Sequence, residues 1–134
     1  MKMQFFSFLT ILISLVVIDA VWLGLMFKRL YAPSIGHLLS DSMKLWPVLV
    51  FYLLYAFLLN FFVVIPELKV PIGYKDVLIK GMLLGLLAYG TYDLTNQATL
   101  KGWPVLLTIT DMAWGSILTG AVTLIAVYFT RKCL

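Results

Sequence analysis

The sequence has one cysteine, Cys133, and one histidine, His37. An intramolecular disulfide and a cysteine-based metal cluster are therefore excluded, and so is any site built on several histidines. Charge is also scarce: 12% of the residues are Asp, Glu, Lys or Arg, against roughly a quarter in soluble domains. The ten Lys and Arg sit at or near the ends of apolar runs and form no basic stripe with interleaved aromatics, so nucleic acid is not an expected partner. No glycine-rich phosphate loop and no nucleophile–base motif is present.

What the sequence has in excess is apolar surface, 63% of 134 residues. A soluble fold this short has too little interior to hide it, so lipid is the expected solvent and the bilayer the first partner. Four apolar runs, Met3–Phe27, Trp46–Ile65, Val77–Gln97 and Trp103–Thr130, are each long enough to cross a hydrocarbon core of about 30 Å. Lys2 before the first run has the look of a signal peptide. The run continues past Asp19 through Val21, Trp22 and Leu25, however, with no small-x-small cleavage site, which predicts a retained helix. Pro47 and Pro104 lie in the first turns of the second and fourth runs, where a missing N–H costs little, and Pro66 closes the second. The expected fold class is all-α: one integral-membrane four-helix bundle over residues 1–134.

Only Ala98–Gly102 separates the last two runs, which must form an antiparallel hairpin. The segment between Lys28 and Lys44 mixes Ile35, Leu38, Leu39 and Met43 with Ser and Asp, as a short interfacial helix or an irregular loop would. With four spans both termini share a side. Lys2, Lys69, Lys75, Lys80, Arg131 and Lys132 fall there, and Lys28, Arg29, Lys44 and Lys101 fall opposite, which favours cytoplasmic termini. Lys44-Leu45-Trp46-Pro47-Val48-Leu49 is echoed by Lys101-Gly102-Trp103-Pro104-Val105-Leu106. Two parallel helical-hairpin repeats would produce that echo, and so would two helices that merely begin at the same interface.

Half of the six acidic residues, Asp19, Asp93 and Asp111, fall inside apolar spans. Such a residue costs about 2.5–3.5 kcal/mol at a helix centre and normally faces the bundle interior. At 1.5 Å per residue all three lie within roughly 12 Å of the membrane face that carries the Lys28–Lys44 segment, so they can converge there. Trp22 and Trp114 each follow an aspartate by three residues, on its own helix face. Tyr89, Asp93 and Asn96 or Gln97 share one face of the third run, and Tyr92 pairs with Asn96 one position over. Gly81 and Gly85 lie on that run too, Thr108, Gly115 and Thr119 flank Asp111, and Tyr52 and Tyr55 lie at matching depth in the second run. The expected ligand site is Asp19, Trp22, Tyr89, Tyr92, Asp93, Asn96, Asp111 and Trp114, with carboxylates and aromatic walls suited to a cation or a polar headgroup.

Each aspartate taken singly could as well bond a neighbouring helix; three at one depth favour a site. Asn60 reads as interhelical glue, His37 and Cys133 as incidental, and Lys80 as a snorkelling side chain. The run Tyr92-Asp93-Leu94-Thr95-Asn96 followed by Trp103-Pro104, with Asp111-Met112-Ala113-Trp114-Gly115 and Asp19-Ala20-Val21-Trp22, resembles a family of small bacterial membrane proteins described only as a domain of unknown function. The likeness covers essentially the whole chain. It implies a multi-pass protein of the bacterial inner membrane, and no activity, substrate or cofactor.

Three functions compete. Transport or binding of a cation or small amphiphile would use the aspartates and aromatics, and with only four helices predicts a homo-oligomer. A membrane enzyme acting on a lipid would use paired aspartates, and a metal held by the carboxylates belongs to the same class, though no catalytic residue is assignable and no metal site is expected. A structural or assembly partner would use the cluster to specify packing.

Overall fold

The computed structural model describes residues 1–70 and 73–134. All regular structure among the described residues is helical, and four helical stretches are long and apolar enough to cross a membrane.

The first span is α1, Lys2–Met26. A wide π-type turn, Phe27–Tyr31, carries it into α2, Ala32–Ile35, and a 3₁₀ turn, Gly36–Leu38. The segment read as interfacial helix or loop is thus helical as far as Leu38 and irregular only over 39–44. Its anchor is apolar: Leu30 is buried against Trp103 and Leu107 at the start of the fourth span, with Tyr31 and Ile35 packed beside them.

The second span is α3, Leu45–Leu59, followed by a second π-type turn, Asn60–Val64, and α4, Ile65–Lys69. Pro66 does not end the run. Proline has no N–H for the ordinary i→i−4 ladder, and the widened turn just before it has already displaced that ladder by a residue. Asn60 ties this turn to the first span: its Nδ2 donates to the Gln4 carbonyl at 2.9 Å and its Oδ1 accepts from Ser7 at 2.7 Å. That is the gluing role its depth suggested. Beyond Pro66, Glu67 is fully buried and paired with Lys80, while Arg131 Nη2 donates to the Glu67 carbonyl at 2.8 Å. Lys80 therefore does more than snorkel: its half-exposed side chain reaches an internal carboxylate, which a helix stopping at Pro66 would have left outside the bundle.

The third span is α5, Tyr74–Thr99, and the fourth is α6, Val105–Cys133; Gly102, at φ +72°, makes the turn between them. These two pack along their length at a separation only glycine permits. A Cβ on Gly81 would sit 2.9 Å from the Gly120 Cα, and one on Gly85 would sit 2.7 Å from the Thr119 Cβ. The first span packs more extensively on the fourth than on the second. The second and third spans meet chiefly at Asn60–Val64 and scarcely touch over α3. The two Lys-x-Trp-Pro starts accordingly lead into different surroundings: Trp46 is exposed and Trp103 buried.

Candidate functional site

Many of the polar side chains of the spans, among them Asp19, Asp93 and Asp111, gather in one layer near the 39–44 loop. Its centre is a pair of stacked indoles, Trp22 and Trp114, with ring centroids 4.3 Å apart and planes 5° from parallel. Spacing alone assigns each indole to the aspartate on its own helix, but the structure crosses them. Trp114 Nε1 donates to Asp19 Oδ1 at 3.0 Å, and the Tyr52 hydroxyl donates to Asp19 Oδ2 at 2.5 Å. Trp22 Nε1 donates to the Tyr31 hydroxyl at 3.0 Å, which in turn donates to Asp111 Oδ1 at 2.6 Å. Both oxygens of Asp19 are thereby occupied by groups from the second and fourth spans. Asp111 is tied to the π-type turn that ends the first.

Asp93 is different. Its side chain is fully buried, and no donor group among the described residues reaches either carboxylate oxygen. Its close polar neighbour is Asp111, which it can hydrogen-bond if the two carboxyls share a proton. A carboxylate removed from water without a partner is among the most costly arrangements in a folded chain, so this pair calls for a proton, a water or a cation between its members. Among the described residues no three acidic, histidine or cysteine side chains are grouped as a metal-ion site would require. Asp93 and Asp111 form a pair, and Asp19 lies in the same layer within its own hydrogen-bond shell.

Beside Asp111 lies a cavity of about 380 Å³ lined by Phe51, Ala88, Tyr89 and Tyr92. Local sequence explains how these rings are seated. The Tyr89 ring lies where a side chain at position 115 would be, so Gly115 is what admits it. Tyr92 meets Trp103 edge to face, 5.8 Å between centroids. Trp103 is itself fixed by a closed polar triangle: Gln97 Nε2 donates to its carbonyl at 2.8 Å, its indole N–H donates to Thr108 at 3.0 Å, and Thr108 donates to Gln97 Oε1 at 2.8 Å. Asn96, an expected member of the site, is partly exposed and its side chain joins none of these bonds; Gln97 takes the structural part. Below the layer, the Tyr55 hydroxyl and Thr119 Oγ1 are 2.7 Å apart and hydrogen-bonded.

Three participants are not among the expected site residues. Tyr52 carries a sequence signal, since it enters the bilayer at the right depth. Tyr31 is hidden by the polar, proline-containing segment around it. Phe51 looks like any lipid-facing residue.

Residues 4–128 match a family model described as "Predicted membrane protein (DUF2177)". The chain belongs to that family. The DUF2177 match takes in every residue of the site, and its description states a membrane location without an activity. No curated protein and no solved structure matches the chain.

Proposed function

We propose that this protein binds a cation at the Asp93–Asp111 pair and serves in its transport across a bacterial inner membrane, with both termini in the cytoplasm. The observation that carries the reading is the Asp93–Asp111 pair, in which Asp93 is buried with no protein donor and Asp111 lines an aromatic-walled cavity. A positive ligand there would gain the carboxylates at one end and the negative faces of Phe51, Tyr89 and Tyr92 along its sides. An assembly role is served better by a cluster whose members are all satisfied by protein donors, as Asp19 is and Asp93 is not. Four helices offer few groups for a complete path, so transport calls for two or more copies working together.

The test is thermal stability of the purified protein against a panel of inorganic and organic cations, wild type beside Asp93→Asn. A cation-dependent rise in melting temperature that the variant loses is the expected result. Absence of any cation effect in the wild type overturns the reading. The same pair of aspartates would serve an enzyme acting on a lipid. Conversion of a native lipid extract by wild type and not by Asp93→Asn, with no cation effect, would favour that alternative.

A further inference from the structure

The second and third spans converge at Asn60–Val64, where Glu67–Lys80 and the Asn60 bonds hold that end of the bundle together. Over α3 they scarcely touch, which leaves a cleft between them in the half of the bilayer nearer the 39–44 loop. The cavity sits in this cleft: Phe51 from one side, Ala88, Tyr89 and Tyr92 from the other, and Asp111 of the fourth span at the back. Phe51 is 44% exposed and Tyr92 54%, both on the lipid-facing rim. A hydrated ion arriving from water would need a polar approach, and the rim is aromatic.

Resting on the cation reading above, we infer that the ligand is a lipophilic organic monocation that enters sideways from the bilayer, through the cleft between the second and third spans. Three of the five lining side chains are aromatic, one is methyl-sized, and the only charge is the carboxylate at the back. A cavity of about 380 Å³ is within the size range of small-molecule sites and much larger than a dehydrated metal ion needs. Apolar substituents on the cation would be buried against the rings while the positive centre approaches Asp111, whose charge is linked to that of Asp93.

The experiment titrates the full chain in detergent with sodium, magnesium and the symmetrical tetraalkylammonium ions from methyl to propyl, for wild type, Asp93→Asn, Phe51→Ala and Phe51→Leu. Affinity is expected to rise at least tenfold from tetramethyl- to tetrapropylammonium, since each buried methylene favours binding. It should vanish in Asp93→Asn. Phe51→Ala and Phe51→Leu should each weaken tetrapropylammonium about threefold or more and leave the tetramethyl ion nearly unchanged. Agreement of the two Phe51 variants separates loss of the ring from loss of fold. If sodium or magnesium binds as tightly as tetrapropylammonium, and Asp93→Asn loses it, the cation reading stands and the lipophilic ligand falls. Tetrapropylammonium binding that ignores Phe51 overturns the sideways route. No binding of any ion overturns both.

Discussion

Asp93 and Asp19 should respond to the same substitution with opposite signs. In Asp19→Asn the new amide still accepts one hydrogen bond through its oxygen, but its NH₂ now faces a donor, either the Trp114 N–H or the Tyr52 O–H. Interhelical hydrogen bonds in membrane proteins contribute about 0.6 kcal/mol on average, and a buried donor left facing another donor costs about 1–3, so Asp19→Asn should lose about 1–3 kcal/mol. In Asp93→Asn no protein donor is lost, and the new N–H can donate to Asp111 without the two carboxyls having to share a proton. Relief of an unsatisfied buried group is worth about 1–3 kcal/mol, so this variant should be more stable than the wild type. The two variants should therefore differ by about 2–6 kcal/mol. Reversible unfolding in mixed micelles of rising SDS content, followed by circular dichroism, measures that difference. Equal destabilisation by both would refute the distinction drawn between a structural and a functional aspartate. A site that sacrifices stability for a ligand is what such a sign reversal would reveal.

Other outcomes follow from the packing. Gly85→Ala should lose about 1–3 kcal/mol by the same unfolding assay, because its Cβ would overlap Thr119, whereas Gly24→Ala, with open space around it, should stay within about 0.5 kcal/mol. Lys80→Met should lose at least about 1 kcal/mol by leaving Glu67 buried without its cation, and Lys80→Met combined with Glu67→Gln should recover most of that loss. Trp22→Phe should alter the near-ultraviolet circular dichroism strongly, since the stacked indoles couple, while Trp46→Phe, exposed and outside the stack, should leave it nearly unchanged.

Much of the architecture is legible in the amino-acid sequence, because lipid leaves a spanning segment few options: long apolar runs become helices, and the short link at Gly102 forces a hairpin. That Asp19, Asp93 and Asp111 face the interior rather than lipid is readable for the same reason, since a carboxylate in an apolar span avoids the hydrocarbon. What the sequence hides depends on small departures from helical register. Two π-type turns leave no periodic signature, and through them Tyr31 reaches Asp111 and Glu67 is drawn into the bundle. Nor can three-residue spacing tell which helix an indole will serve. It places Trp114 on the face of Asp111, and only packing shows its N–H bonded to Asp19. Asn96 and Gln97 are a similar case: adjacent amides at the edge of one face, separated only by the Trp103–Thr108 contacts across the turn.

The π-type turn at Asn60–Val64 gives the second span a pivot with one arm fixed and the other long. Phe51 lies nine residues from Asn60, about 13–14 Å along the helix axis at 1.5 Å per residue. A rotation of about 10° at the pivot would swing Phe51 through about 2 Å and part the neighbouring Tyr52 hydroxyl from Asp19, while the Asn60 and Glu67 contacts at the short end stay in place. One loosened turn of backbone would thus let a single aromatic ring widen or shut the mouth of the cavity, with the paired third and fourth spans as the rigid wall it moves against.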